Sequence, residues 1–303
     1  MCTAIAKSAS AAVVAAKERA NPLLRQVVEE IAQTAGARAV AVAFHDYQTD
    51  TAWSLRGGQW FHAASAMKLA VLLALHHEAA NGRLELDAWL HVRNRFTSRI
   101  DAEPFRIARE RDADSVVQAQ VGKLMRLRDL AERMIVASSN LATNLLIDLL
   151  GPQAIRDALA ALGVTGIEVL RGVEDQRAHE AGVNNRVTAD GMLSLLKLLQ
   201  EPGRLPPEMA QEMVEVLQRE ELTGGLPLAL PPELRANARV AHKTGEISTV
   251  AHDAGLLFLP ERAPFALVVL TEWPPGGESR QQVVGRIGRA VYDQLIAPGG
   301  SGP

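Results

Sequence analysis

Cysteine is almost missing from this 303-residue chain. Cys2 is the only one, which excludes an intramolecular disulfide and any multi-cysteine metal cluster. No apolar run reaches the roughly 18 residues that a membrane helix needs. An excess of one charge is lacking too: 32 basic residues face 35 acidic ones, for a net −3. That balance argues against a broad phosphate-binding surface and hence against nucleic acid as the partner. What is present is ordinary globular material, 48% apolar and 22% charged, in a chain of 32.6 kDa. That length holds one large domain or two ordinary ones, with enough chain for a real core. Met1–Ala16 is Ala-rich, with a lone Lys7 before a short and weakly apolar run. This is less than a secretory signal needs, so it is expected to be a disordered or helical lead-in, and compartment is not legible from it.

Asn21-Pro22 opens a helix, with Leu23, Leu24, Val27, Val28 and Ile31 at helical spacing. Residues 37–47 and 51–56, split by Gln48-Thr49-Asp50, read as a β-hairpin. Residues 66–80 are apolar on nearly every face, as in a buried central helix, and Asn81-Gly82 closes it. Helices are expected at 127–137, 141–150, 153–162, 188–200 and 207–220, then three strands at 238–245, 249–259 and 264–272, and a last helix at 278–296. Strands at both ends with helices between imply an α+β fold, a five-stranded antiparallel sheet flanked by terminal helices, plus a mostly helical lobe. The expected division is 21–60 with 235–297 for the sheet lobe and 61–234 for the helical lobe, with tails at 1–20 and 298–303. Residues 92–120 are charged and without period, and are taken as an excursion between lobes.

Three short motifs carry potential chemistry. Ser65-Ala66-Met67-Lys68 puts a hydroxyl and an amine on one helical face. A serine is a poor nucleophile until a base takes its proton. A lysine with a pKa of about 10.4 is neutral only about once in a few thousand at neutral pH, so burial or a nearby cation such as Lys243 must depress it. The spacing alone says little: 12 Ser and 6 Lys in 303 residues predict ~0.24 such pairs by chance, and Ser194–Lys197 is a second one, on an amphipathic helix. A helix cap is the plain alternative for Ser65. Lys243-Thr244-Gly245 has a chance expectation of ~0.02 and suits docking of a carboxylate, its glycine permitting close approach; an edge strand with a protective lysine is the alternative. Ser138-Ser139-Asn140 lies between two expected helices, where a plain N-cap is the alternative.

In that order, S-x-x-K, S-x-N and K-T-G resemble the penicillin-recognising serine enzymes, specifically their class A β-lactamase-like branch. The resemblance runs from about Asn21 to Ile296 and includes Phe61-His62-Ala63-Ala64-Ser65, Met134–Ser138 with Asn144, and Val240-Ala241-His242-Lys243. It implies that Ser65 is acylated, that Lys68 is a candidate base, and that Ser138 relays a proton toward the leaving nitrogen. Asn140 would hold the substrate amide, Lys243 and Thr244 its carboxylate, and the backbone N–H groups of Ser65 and Glu246, just past Gly245, the oxyanion. No metal and no organic cofactor is required. The substrate would be a small β-lactam or a peptidoglycan-like molecule, the protein a monomer, and the family is usually exported.

Three departures stand out. Ser139 replaces the family's Asp, the 92–120 stretch lengthens the gap between Ser65 and Ser138, and Ala178 takes the place of an Asn four residues beyond the deacylating Glu. Glu174 matches that Glu, with Asp175 as rival and a plain surface acid as the third reading. Three functions stay open: a β-lactam hydrolase, a D-alanyl-D-alanine peptidase or esterase with slow β-lactam release, and a non-catalytic ligand-binding protein. His76-His77 lacks an H-E-x-x-H frame, so zinc is not expected, and no G-x-S-x-G elbow is present.

Overall fold

The computed structural model describes residues 21–276 and 279–297; the expected tails lie outside these residues. Elements run in chain order as α1 (Pro22–Thr34), β1 (Ala39–Asp46), β2 (Ala52–Leu55), α2 (Lys68–Ala80), α3 (Leu127–Val136) and α4 (Asn140–Ala161). They continue as α5 (Ala189–Leu198), α6 (Pro207–Leu217), β3 (Arg239–Ile247), β4 (Val250–Phe258), β5 (Phe265–Glu272) and α7 (Gln281–Leu295). Among the described residues two compact units form: 21–61 with Thr188–Leu196, 223–276 and 279–297, and residues His62–Val187 with Lys197–Leu222.

In the first unit five strands form one sheet in the order β3-β4-β5-β1-β2, each pair antiparallel. The sheet is the one expected. Asn21 Oδ1 accepts from Leu24 N at 2.9 Å and Pro22 opens α1, whose Leu24, Val28 and Ala32 are buried at helical spacing. Those residues share a core with Val40, Val42 and Phe44 of β1, Leu267 and Val269 of β5, and Ile287 and Val291 of α7. The alternate positions of β1, Ala41 and Ala43, are fully buried as well. This sheet therefore has no solvated face along β1, unlike a simple two-layer antiparallel arrangement.

The second unit is built on α2, buried at every position from Lys68 to His76 and packed against α3 and α4. The continuous apolar stretch seen in the sequence is that buried helix, and Asn81 with Gly82 (φ 68°) ends it. Gly151, at φ 77° and ψ 144° ahead of Pro152, breaks α4 into the two expected segments. Residues 92–120 keep an irregular course. They belong to this unit and contribute short strands, a 3₁₀ turn and a one-turn helix capped by Asp114. No described helix is long and apolar enough to cross a membrane.

Candidate active site

Ser65 does not begin an α-helix. It lies in a four-residue 3₁₀ turn, Ala64–Met67, immediately before α2, and Lys68 N donates to Ser65 O. With three residues per turn, side chains at i and i+3 eclipse, so Ser65 and Lys68 leave the same face. The cap positions are Ala63 and Met67, neither with a side-chain cap bond, which removes the capping role for Ser65. The turn is strained at Ala64 (φ 45°), whose N–H donates to His62 Nδ1 at 3.1 Å. Ser65 is partly exposed while Lys68 is wholly buried.

Burial of a lysine is costly unless its amine is hydrogen-bonded. Lys68 Nζ donates to Ser138 O at 2.6 Å, Ser138 Oγ at 3.1 Å and Asn140 Oδ1 at 3.0 Å. Ser138 can offer both its carbonyl and its hydroxyl because it sits at φ 56°, in the left-handed region. The helix dipole and cap explain the rest of this turn. Ser139 is the N-cap of α4 and accepts from Ala142 N at 3.2 Å, so a hydroxyl here fills the capping role. The missing carboxylate arrives from elsewhere: Asp112 accepts from Asn140 N at 2.8 Å and Leu141 N at 3.2 Å. An acid at those first amides is favoured by the helix dipole.

Residues 170–185 form a compact loop with tied ends, an Ω loop. Asn185 Oδ1 accepts from Leu170 N and Arg171 N at 2.8 and 3.1 Å, while buried Arg171 donates to Val183 O, Gly172 O and Asn184 Oδ1. Burial lowers the Arg171 pKa against the pull of Asp175 and Glu174. Asn144 clamps the middle, accepting from Val173 N at 2.7 Å and donating to Val173 O at 2.9 Å. A Cβ on Gly172 would come within 2.7 Å of Asn144 Oδ1, so only glycine fits. Asp175 is buried, accepts from Ser98 Oγ and Arg99 N, and caps the short helix Gln176–Glu180 through Ala178 N. Glu174, between these anchors, is at φ 60° and partly exposed. Arg111 donates to both of its oxygens, at 2.9 and 3.1 Å, and this bond raises the Arg111 pKa. Arg111 O also accepts from Asn140 Nδ2 at 2.6 Å. Ala64, Ser138 and Glu174 are three of seven non-glycine residues with positive φ among the described residues. Such strain costs of order 1–3 kcal/mol each and clusters at functional sites.

The sheet unit holds the remaining candidates. Lys243, Thr244 and Gly245 lie on β3, an outer strand of the sheet, and Lys243 is fully buried. A lysine that guards a strand edge would be exposed, so that alternative fails. Beside it His242 Nδ1 meets both Asp253 oxygens, at 3.0 and 2.9 Å, and Asp253 Oδ2 accepts from Leu226 N at 2.7 Å. Glu246 is exposed, its carboxylate accepting from Ser279 Oγ and Arg280 N.

Thus Lys68, Ser138 and Asn140 meet directly, Ser65 follows from its turn, and Glu174 is connected to them through Arg111. Arg111 and Asp112 carry no motif in the sequence. The Asp112-Ala113-Asp114 acids ahead of Ser115 carry a capping signal, but nothing local says that Asp112 serves a helix 28 residues on.

Comparison with known proteins adds four findings. A beta-lactamase of Rhodobacter capsulatus is 26% identical over 299 residues, 96% of this chain and 94% of that one. A beta-lactamase crystal structure from Chitinophaga pinensis DSM 2588 has a TM-score of 0.73 and 25% identity, over 89% and 98% of the two chains. PBP-A has the same fold, with a TM-score of 0.76 and 22% identity over 90% and 96%, and a mutant of it is known as an acyl-enzyme with penicillin G. Residues 22–295 match the model of the beta-lactamase enzyme family, and the chain belongs to that family, among the penicillin-recognising serine enzymes.

Proposed function

We propose that this protein hydrolyses β-lactams through an acyl-enzyme on Ser65. The observation that carries the reading is the buried Lys68 amine, hydrogen-bonded to Ser138 and Asn140 and one 3₁₀ turn from the serine. Ser65 Oγ attacks the ring carbonyl as Lys68, acting as the neutral amine with two donated bonds and a free lone pair, takes its proton. The oxyanion rests on the backbone N–H groups of Ser65 and Glu246, each such donor worth ~10²–10³ in rate. Ser138 then passes a proton to the nitrogen as the C–N bond breaks. Asn140 holds the acyl amide, and Lys243 with Thr244 takes the carboxylate. Glu174 activates the water that cleaves the Ser65 ester, and Asp175 serves as loop anchor.

A second reading has its own support. With Glu174 engaged by Arg111 and Ala178 where the family has an amide, slow release from the ester would make the protein a peptidase or esterase that traps β-lactams. Mixing with a chromogenic cephalosporin, followed by intact-protein mass measurement, separates them. Sustained turnover supports the hydrolase and a one-equivalent burst the peptidase; absence of any adduct overturns both in favour of a binding protein.

A further inference from the structure

The loop carrying Glu174 is held without help from Arg111. Asn144 clamps Val173 on one side, and Asp175 is anchored by Ser98 and Arg99 on the other. The Arg111 guanidinium therefore adds nothing to the loop backbone; what it does is occupy both oxygens of one carboxylate. Its other link to the site, Asn140 Nδ2 to Arg111 O, runs through the main chain and survives any change of side chain. The guanidinium itself is 65% exposed and Glu174 27%, so this pair can open, unlike the buried contacts around it.

We infer that Arg111 is a latch on Glu174, a positioning residue that sets how long the acyl-enzyme lives. This rests on Glu174 being the deacylating base. In that step water adds its oxygen to the acyl carbon, the bond from that carbon to Ser65 Oγ breaks, and the water proton passes through Glu174 back to Oγ. The guanidinium takes one lone pair on each oxygen and makes the carboxylate a weaker base, so the closed pair receives that proton more slowly. The closed fraction thus subtracts from the rate of deacylation and leaves acylation untouched. Arg171 is tied to Val183 O, and Asp175 to Ser98, Arg99 and Ala178, so neither competes for this role.

Arg111→Gln and Arg111→Ala test this, with the acyl-enzyme half-life and the acylation rate read separately using the chromogenic cephalosporin. The half-life should shorten roughly 2- to 5-fold, the population ratio that a partly exposed ion pair can hold, with acylation unchanged within about twofold. Arg111→Lys, which keeps the charge but not the two-point grip, should lie between. Salt gives a readout that a scaffold role would not move. Raising it to about 1 M, where screening acts over ~3 Å, should hasten deacylation in the wild type and not in Arg111→Gln. A half-life that stays the same or lengthens overturns the latch, as does acylation falling in parallel. A wild-type protein that forms no adduct overturns the enzymatic reading, and the latch with it.

Discussion

Two stretches of this chain place a serine three residues ahead of a lysine. At Ser65, the lysine is entirely buried and donates to three oxygens from a turn about 70 residues away. At Ser194, on α5, Lys197 is a third exposed and pairs with Glu201 one turn on, at 3.1 Å. Both spacings put the two side chains on one face. Only the first adds burial, distant acceptors and a strained backbone. A motif is a statement about a shared face; whether chemistry follows is settled by what the rest of the chain brings to that face.

The contrast is most easily broken at the serines. Ser65→Ala should abolish the covalent adduct and cut turnover by at least ~10⁴-fold, while Ser194→Ala should leave initial rates within about twofold. Equal effects would mean that burial and distant acceptors do not distinguish the two motifs. Glu174→Gln should slow deacylation by ~10²–10⁴ and leave acylation standing, so that the adduct accumulates in a mass spectrum. A variant that still turns over freely would remove Glu174 from the mechanism.

A third test uses the same helix. At the far end of α2 from Lys68 lies His76, buried, with no hydrogen bond to either ring nitrogen and Glu212 at 3.7 Å. Burial first, and then Arg128, lowers its pKa from 6.5 to about 4. Between those values the unfolded chain binds a proton that the folded one refuses. Stability is therefore full above pH 6.5 and falls as pH drops toward 4, by roughly 2–3 kcal/mol. Urea unfolding at neutral and acid pH should show this slope, and His76→Leu should flatten it. An unchanged slope would mean that a buried imidazole without hydrogen bonds carries no special penalty here. The smallest effect belongs to the exposed member of the comparison: Lys197→Ala should shift stability by no more than about 0.5 kcal/mol, measured by thermal melting.

Much of the architecture was legible because its signals are local. Asn21-Pro22 capped a helix, Asn81-Gly82 ended one, Gly151-Pro152 split one, and the apolar stretches divided by turns became the five strands. These are properties of a few neighbouring residues and of backbone sterics. The helix start at Ser65 was less legible, since a 3₁₀ turn and an α-helical turn share nearly the same side-chain pattern over four residues.

By itself, then, the sequence determined the order of the elements, the five-stranded sheet and the identity of the motif-bearing residues. Tertiary structure alone decided which acids and bases meet. Arg111 reaches Glu174 across 63 positions, Asp112 reaches Asn140 across 28, and Asp175 is spent on Ser98, 77 positions away. Loop closure over such distances is set by the packing of the whole unit and leaves no periodic trace in the chain. For that reason a carboxylate that reads as a rival base becomes an anchor, and an irregular charged stretch supplies the partners of Glu174 and Asn140.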